Sequence, residues 1–231
     1  HVGTEQHHVD HRRGVGGADD AGAQPRPAHA AARHGKHAAG GRARRGAGGG
    51  TATAMNEPIV AALQMTSHAD VARNLDTARR LVARARAGGA CLAVLPENFC
   101  FMGRNEAERR AIVEQDGDGP IQRAVAVMAC ESGMWIVAGT QPIAVPGDPR
   151  PANACIVYDA AGKRAARYDK IHLFDVDLPG GREGYRESAN AVPGAKPVTV
   201  DTPAGRLGLT VCYDLRFPEL FRQLVAEGAE I

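Results

Sequence analysis

The sequence predicts an α/β fold with a mixed sheet, and three observations support this prediction. Short apolar runs alternate with segments of helical periodicity between residues 59 and 129, as expected of strands layered against helices. Two turn signals, Asp159-Ala-Ala-Gly162 and Thr202-Pro-Ala-Gly205, connect pairs of predicted strands into hairpins. The run Cys91–Leu95 is continuously apolar, which is typical of a strand covered on both faces.

The predicted elements follow in order along the chain. Asp70 is suited to cap the first helix and the Gly88-Gly89 pair to end it. Pro120 and Pro218 each suit the first position of a later helix, because proline has a fixed φ and needs no N–H partner there. The predicted strands are 59–65, 91–95, 135–140, 154–158, 164–168, 198–201 and 206–211. The predicted helices run from 70 to the glycine pair, over 105–115, from 120 to about 129, and over 217–227. The last helix is predicted to bury one stripe that includes Val225. A long loop is predicted over 170–197.

Residues 1–54 differ in composition from the rest and are predicted to be a disordered basic tail rich in His, Gly and Ala. They contain no Leu, Ile, Met, Phe, Tyr or Trp, so they cannot bury enough apolar surface to offset the entropy of ordering. Met55 directly precedes the first periodic segment, so we expect it to be the natural start. Residues 55–231 form one predicted domain, and because 228–231 resemble the opening of a further strand, we expect its C-terminal part to be missing.

The charge distribution argues against a nucleic-acid partner. Eight basic and four acidic residues give the tail a charge of +4, whereas the whole chain carries +2, so residues 55–231 carry −2. The tail has no aromatic ring besides histidine, although stacking surfaces for single-stranded bases use aromatic side chains. We therefore expect any binding of nucleic acid to be weak and salt-sensitive.

The cysteines predict a reducing compartment. There are five, they are scattered along the chain, and none forms a Cys-x-x-Cys pair. This distribution suits free thiols in the cytoplasm better than a disulfide framework or a zinc site. No apolar stretch approaches the length of a membrane span. We therefore predict a cytoplasmic protein with no membrane partner.

Three polar side chains stand near the predicted ends of strands: Glu97, Lys170 and Cys212. A cysteine just before a helix N-terminus lies in electropositive surroundings that can lower the pKa of its thiol. Taken singly, each residue has a structural explanation, because Glu97 could cap a helix, Lys170 could be a solvated charge and Cys212 could be a buried thiol.

Together these stretches resemble the nitrilase, or carbon–nitrogen hydrolase, superfamily, whose catalytic triad is Glu, Lys and Cys. The matching segments are Leu95-Pro-Glu97, Tyr168–Asp175 and Val211–Glu219, and Gln64 after the first apolar run also matches. The resemblance covers about residues 59–231. Within the superfamily the chain is most similar to the Nit branch. The motif around the cysteine favours amidases of deaminated glutathione over the neighbouring ω-amidases, which cleave α-ketoglutaramate.

The resemblance implies a four-layer αββα sandwich, and it implies that two such units pair as a homodimer. It implies catalytic roles for Glu97, Lys170 and Cys212, and a further carboxylate that we place at Glu187. It also implies that no metal or organic cofactor takes part. The expected substrate is a small molecule with a linear amide, which is converted to an acid and ammonia.

The residue types suit that chemistry. The thiolate of Cys212 is a strong nucleophile for an amide carbonyl, and Glu97 can take the thiol proton and deliver it to the departing ammonia. Lys170 and a backbone N–H after Cys212 can stabilise the oxyanion. The expected intermediate is a thioester, which water activated by Glu97 then hydrolyses.

Several alternatives stay open at this point. The same triad serves carbamoyl and nitrile hydrolysis, so the substrate class depends on the residues lining the pocket. A Cys–His hydrolase could use Cys212 with His172, but no third residue that would orient the histidine stands out in the sequence. A catalytically silent interaction protein is the alternative outside enzymes, because a missing C-terminal part could leave the pocket incomplete.

Two arginines are candidates for holding a substrate carboxylate, namely Arg186 and Arg216. Arg216 has a competing explanation, because Asp214 and Glu219 lie close enough in the sequence to pair with it. An exposed ion pair of that kind contributes little to stability and carries no function.

Overall fold

The computed structural model describes residues 57–177 and 184–231. The predicted tail, residues 1–54, and Met55 lie outside the described residues. The strands are β1 (Val60–Ala62), β2 (Leu92–Val94), β3 (Trp135–Val137), β4 (Gln141–Val145), β5 (Asp148–Tyr158), β6 (Arg164–Asp169), β7 (Asp175–Asp177), β8 (Gly184–Arg186), β9 (Thr199–Thr202) and β10 (Gly205–Gly208). The helices are α1 (Val71–Ala87), α2 (Glu106–Arg110), α3 (Pro120–Ser132) and α4 (Pro218–Ala226), and 3₁₀ turns cover Glu187–Ala189 and Cys212–Arg216.

The central sheet is mixed, as predicted. β1, β2 and β3 are parallel neighbours, and β3 pairs antiparallel with the C-terminal end of β5. β4 pairs antiparallel with the preceding part of β5, and β6 returns along the other edge of β5. Two antiparallel hairpins lie apart from this sheet within the described chain, one formed by β7 and β8 and the other by β9 and β10.

Helices α1 and α3 cover one face of the central sheet. Their buried positions share an apolar cluster with Ala93, Ile136 and Ile156, which point to the same face. Side chains alternate along a strand, so Val137 and Val157, which follow two of these residues, belong to a second cluster on the opposite face. A buried Val or Ile side chain in such a cluster stabilises the fold by roughly 1.5–3 kcal/mol.

The β9–β10 hairpin covers the opposite face. Leu207 and Leu209 are buried with Tyr168 in the second apolar cluster. Gly208 lies between the two leucines and faces the other way, where a Cβ atom would be 3.0 Å from Leu224 of α4. The layers are therefore helices, sheet, hairpin and helix. This confirms the predicted αββα order, with the second sheet represented by two strands in the described chain.

The predicted limits of α1 and the predicted start of α3 are confirmed, whereas α3 extends beyond the predicted 129 to Ser132. The Asp70 side chain accepts a hydrogen bond from the N–H of Arg73 at 3.0 Å and so caps α1, and Gly88 ends the helix. Pro120 opens α3, and Gly133 ends it with a left-handed φ of 61°, which glycine adopts without steric cost.

Strands β4 and the first half of β5 were absent from the predicted elements. Pro142, Pro149 and Pro151 lie within them, and proline in a strand removes a ladder donor, so it normally argues against one. Helix α2 also ends earlier than the predicted 105–115. After Arg110 the chain turns back, and the N–H of Glu114 donates to the carbonyl oxygen of Pro142 at 3.2 Å.

Three further predictions are wrong in part. The predicted loop 170–197 contains the β7–β8 hairpin and a 3₁₀ turn. The predicted strand 206–211 ends at Gly208, and Cys212 instead opens a 3₁₀ turn. Val225, predicted on the buried stripe of α4, is 67% exposed, whereas Leu220 and Leu224 are buried.

Substituting Gly139 by Ala is expected to destabilise the fold severely. Gly139 has a φ of 46°, and a Cβ atom there would collide with the backbone carbonyl of Pro96. Gly133→Ala is the matched control, because its φ is 61° but no atom lies within 4 Å of the added Cβ. We expect the control to cost about 1 kcal/mol in urea unfolding and Gly139→Ala to cost clearly more. Equal costs would contradict this packing constraint.

Candidate active site

A buried ammonium group lies at the centre of the site. The side chain of Lys170 is 2% exposed, and its Nζ lies 2.9 Å from Oε1 of Glu97 and 2.8 Å from Oε2 of Glu187. Burial alone disfavours the charge, but the hydrogen bonds and charges of Glu187 and Glu97 outweigh it and raise the pKa of Lys170 above its ordinary value. The structure thus brings together three of the four residues that the sequence proposed.

Glu97 reaches this cluster from the end of β2. The strand ends at Val94, and Glu97 follows two residues after Leu95. The next residue, Asn98, has a φ of 55° and donates its N–H to the hydroxyl of Thr140 at 2.9 Å. This bend and its side-chain acceptor hold the carboxylate at the edge of the sheet.

Lys170 and Glu187 reach the cluster from the other side. Lys170 directly follows β6, and its N–H donates to the carbonyl oxygen of Asn153 at 3.0 Å. Glu187 opens the 3₁₀ turn after β8, and its Oε2 also accepts the N–H of Phe174 at 2.7 Å. Both oxygens of Glu187 are therefore engaged, because Oε1 accepts from the Asn153 amide.

Asn153 is a member of the cluster that the sequence analysis missed. It lies in β5, is 1% exposed, and donates from Nδ2 to Glu97 at 3.1 Å and to Glu187 at 3.3 Å. Its Oδ1 accepts a hydrogen bond from Arg109 of α2 at 3.2 Å. Asn153 could have been predicted from the sequence only as an amide side chain within a buried strand. The prolines before it argued against a strand there, so it was not predicted.

Cys212 faces the same cavity as Glu97, Lys170 and Glu187. Its φ of 49° is unusual for a residue other than glycine and stores strain of the kind found at functional sites. Burial away from water and the charge of Glu97 raise the pKa of the Cys212 thiol, while the charge of Lys170 lowers it. The expectation of a lowered thiol pKa is therefore wrong, because burial and the nearby carboxylates outweigh the ammonium of Lys170. Such a thiol needs a base beside it, and Glu97 occupies that position.

Asp214 fixes the backbone turn that carries Cys212, and the sequence analysis missed this role. The Asp214 side chain is fully buried. Its Oδ2 accepts the hydroxyl of Tyr168 at 2.7 Å and the N–H of Val211 at 2.8 Å, and its Oδ1 accepts the N–H of His172 at 3.0 Å. Burial and the hydrogen bond to this carboxylate raise the pKa of Tyr168. The network ties the cysteine turn to the segment on either side of Lys170.

His172 belongs to the Asp214 network. Its Nδ1 lies 2.7 Å from Oδ1 of Asp214, and its ring stacks on Phe217 with centroids 3.6 Å apart. The structure thus supplies the orienting carboxylate that the sequence did not reveal. However, His172 is not among the described residues that line the cavity with Cys212, so the geometry favours Glu97 over His172 as the base.

The cavity has a volume of about 590 Å³, within the range of small-molecule sites. Arg186 lines it and forms an ion pair with Asp177. Arg216 is exposed and lies outside the described residues that line the cavity. Neither predicted competitor pairs with Arg216, since Asp214 binds Tyr168 and His172, and Glu219 binds Arg222 at 2.8 Å.

Other features of the described chain bear on the remaining expectations. All five cysteines are free thiols, and burial raises the pKa of Cys100 and Cys155 to about 12. Across residues 57–177 and 184–231, no group of three or more His, Cys, Asp or Glu side chains has the spacing of a metal site. In the same residues, none of the helices has both the length and the apolar character needed to cross a membrane.

The fold, the cavity and the polar cluster agree with one family. The model of the carbon-nitrogen hydrolase family matches residues 59–231. The chain therefore belongs to the carbon–nitrogen hydrolase family, as the sequence motifs predicted.

Individual relatives and solved structures support the same family. Deaminated glutathione amidase from Yersinia enterocolitica is 42% identical over 178 residues, which are 77% of this chain and 62% of that protein. The crystal structure of the Caenorhabditis elegans NitFhit protein has a TM-score of 0.67 and 34% identity, covering 74% of this chain and 42% of that one. An amidase mutant from Nesterenkonia sp. AN1, with acrylamide added at its active-site cysteine, has a TM-score of 0.61 and 29% identity, covering 74% and 63%. The chain spans about three fifths of the length of the first curated relatives that it matches.

Replacing Glu97 by Gln is expected to lower the pKa of the Cys212 thiol. The carboxylate raises that pKa, so removing its charge favours the thiolate and shifts the midpoint of thiol alkylation to lower pH. Lys170→Met is expected to move the midpoint in the opposite direction, because the ammonium favours the thiolate. The measurement is the rate of iodoacetamide labelling of the Cys212 peptide against pH, followed by mass spectrometry.

Glu131→Gln is the control for this titration, because Glu131 is exposed on α3 and lies outside the cavity lining. It should leave the midpoint unchanged. An upward shift in Glu97→Gln would contradict the arrangement of charges around the thiol.

Proposed function

We propose that this chain is the catalytic part of an amidase that cleaves a linear carbon–nitrogen bond through a thioester on Cys212. The proposed substrate is deaminated glutathione or a closely similar small amide. The observation that carries the proposal is the convergence of Glu97, Lys170, Glu187 and Cys212 on one cavity. The name of the Yersinia enterocolitica relative supports the choice of substrate.

The proposed reaction begins with transfer of the Cys212 thiol proton to Glu97. The thiolate attacks the amide carbonyl carbon, and the carbonyl oxygen becomes an oxyanion. Lys170 Nζ and the N–H of Tyr213 are the donors for that oxygen; among the described residues this N–H has no hydrogen-bond acceptor. Donors aimed at developing charge in a site shielded from water lower the barrier strongly.

Collapse of the intermediate breaks the carbon–nitrogen bond and forms the thioester. Glu97 donates its proton to the departing nitrogen, so ammonia leaves as a neutral molecule. Glu97 then takes a proton from water, whose oxygen attacks the thioester carbonyl. The carboxylic acid is released and the proton returns to the Cys212 sulfur, so one amide and one water give one acid and one ammonia.

Glu187 acts in this proposal through Lys170. Its carboxylate holds the ammonium at 2.8 Å and is itself held by the N–H of Phe174 and the amide of Asn153. The ammonium keeps its charge because two carboxylates face it. Glu187 orients the ammonium group of Lys170, and this leaves Glu97 available for proton transfer.

The proposal includes the assembly and the location expected from the sequence. A homodimer is consistent with the apolar side chains exposed at Leu215 and Val225, which are 72% and 67% exposed. A cytoplasmic location is consistent with five free thiols.

Cys212→Ala is expected to reduce ammonia release to background. Without the sulfur no thioester forms, whereas the exposed position of Cys212 makes the change tolerable for folding. The assay offers deaminated glutathione, α-ketoglutaramate, an N-carbamoyl amino acid and a simple nitrile. Cys130→Ala is the control, since that thiol is also exposed but lies outside the cavity. Turnover by Cys212→Ala at the wild-type rate would overturn the proposal.

Glu97→Gln is expected to reduce kcat by roughly 10²- to 10⁴-fold, the contribution typical of a general acid–base residue. The amide keeps the shape of the side chain but cannot take the thiol proton. The measurement is steady-state ammonia release on the best substrate of the panel. A kcat within twofold of wild type would exclude Glu97 as the base.

A further inference from the structure

We propose that Arg109 binds a carboxylate of the substrate, so that the enzyme prefers linear amides that carry a carboxylate. The proposal rests on the amidase function proposed above and adds the substrate feature that this cavity selects. The proposal is based on two observations. The guanidinium of Arg109 lines the cavity, and it donates to the Asn153 amide, which also binds Glu97 and Glu187.

Within residues 57–177 and 184–231, three arginines line the cavity, and two of them already have carboxylate partners. Arg104 forms an ion pair with Glu108 at 2.9 Å, and its side chain is 87% exposed. Arg186 pairs with Asp177, and its side chain is 52% exposed. Arg109 has no carboxylate within 4 Å in residues 57–177 and 184–231. Its positive charge is therefore the one most available to an incoming anion.

Arg109 is also oriented towards the reacting groups. Its Nη2 donates to Oδ1 of Asn153 at 3.2 Å, and Nδ2 of the same amide donates to Glu97 at 3.1 Å. The guanidinium is therefore two hydrogen bonds from the proposed base. An anion bound there would lie a short chain length from the carbonyl attacked by Cys212.

The chemistry of the guanidinium suits a carboxylate. It carries five N–H donors in a planar fork, and Asn153 takes one of them. The remaining donors can bind both oxygens of a carboxylate. Such charge-assisted hydrogen bonds are stronger than hydrogen bonds between neutral groups. Phe101 and Phe174 line the same cavity and offer apolar contacts to the methylene groups between the carboxylate and the amide.

Charge inside the cavity restricts where a substrate carboxylate can bind. Lys170 faces two carboxylates, Glu97 and Glu187, so this cluster carries a net negative charge and repels the carboxylate of a substrate. A substrate carboxylate therefore has to avoid the cluster and find a separate cation, which Arg109 provides. The binding mode that follows places the amide at Cys212 and the carboxylate at α2.

The test compares two isosteric amides, succinamate and its neutral diamide succinamide, by ammonia release. Wild type is expected to prefer succinamate in kcat/KM. Arg109→Gln should raise KM for succinamate roughly 10- to 100-fold, the effect of losing hydrogen bonds to a charged group, and should leave succinamide within about twofold. Arg109→Lys should restore part of the preference, because it keeps the charge without the fork.

Arg110→Gln is the matched control, since Arg110 is the exposed neighbour on α2 and lies outside the cavity lining. It should leave both substrates unchanged. If Arg109→Gln slows both amides equally, Arg109 acts through Asn153 alone, and the carboxylate preference is overturned. Circular dichroism and urea unfolding of each variant separate these outcomes from a loss of folding.

A binding measurement separates failure of this inference from failure of the proposed function. Succinamate is titrated by calorimetry into Cys212→Ala, which cannot form the thioester, and into Cys212→Ala that also carries Arg109→Gln or Arg110→Gln. Binding that is lost with Arg109→Gln and retained with Arg110→Gln supports the site even if no amide is cleaved. Absence of succinamate binding to Cys212→Ala, or equal binding to all three proteins, overturns it.

Discussion

The buried ammonium of Lys170 is the constraint on which the rest of this structure depends. Removing such an ion from water costs several kcal/mol unless it is paired and hydrogen-bonded. Two carboxylates offset that cost, and both are held by Asn153. The groups come from the end of β2, the interior of β5, the end of β6 and the turn after β8. Three segments of the mixed sheet and the turn after the β7–β8 hairpin therefore have to align before the charge can be buried.

A second network positions Cys212 and joins it to the first. Asp214, two residues after Cys212, binds Tyr168 and His172, which lie two residues before and after Lys170. The cysteine turn and the lysine segment are thus connected by one buried carboxylate. Because both networks are formed before a substrate arrives, the site is preorganised, which is the condition for electrostatic stabilisation of a developing oxyanion. The strained φ of Cys212 is held by this scaffold.

Sequence reasoning predicted the layer order and the residues with distinctive local motifs, because caps, glycine pairs and strand-end motifs are local signals. It missed β4, the first half of β5 and hence Asn153, since three prolines there argue against a strand. It also could not foresee that Asp214 would bind His172 and Tyr168 rather than Arg216, because such pairing depends on how distant segments pack. The predicted direction of the Cys212 pKa shift was wrong for a similar reason. A helix N-terminus can be read from a local pattern, whereas the carboxylate of Glu97 arrives from more than a hundred residues away.

The exposed ion pairs at the rim of the cavity have a consequence for how such an enzyme can change. The Arg104–Glu108 pair joins the segment before α2 to that short helix, and the Arg186–Asp177 pair lies on a short hairpin; exposed pairs of this kind contribute little to stability. Asn153, Lys170 and Glu97, in contrast, lie in or shortly after strands of the central sheet. In the proposed amidase, substitutions in these exposed pairs can therefore accumulate and alter substrate choice while the buried cluster is preserved. Evolution, or a protein engineer, can vary this rim with little effect on the cluster, except at Arg109, whose contact with Asn153 links the two.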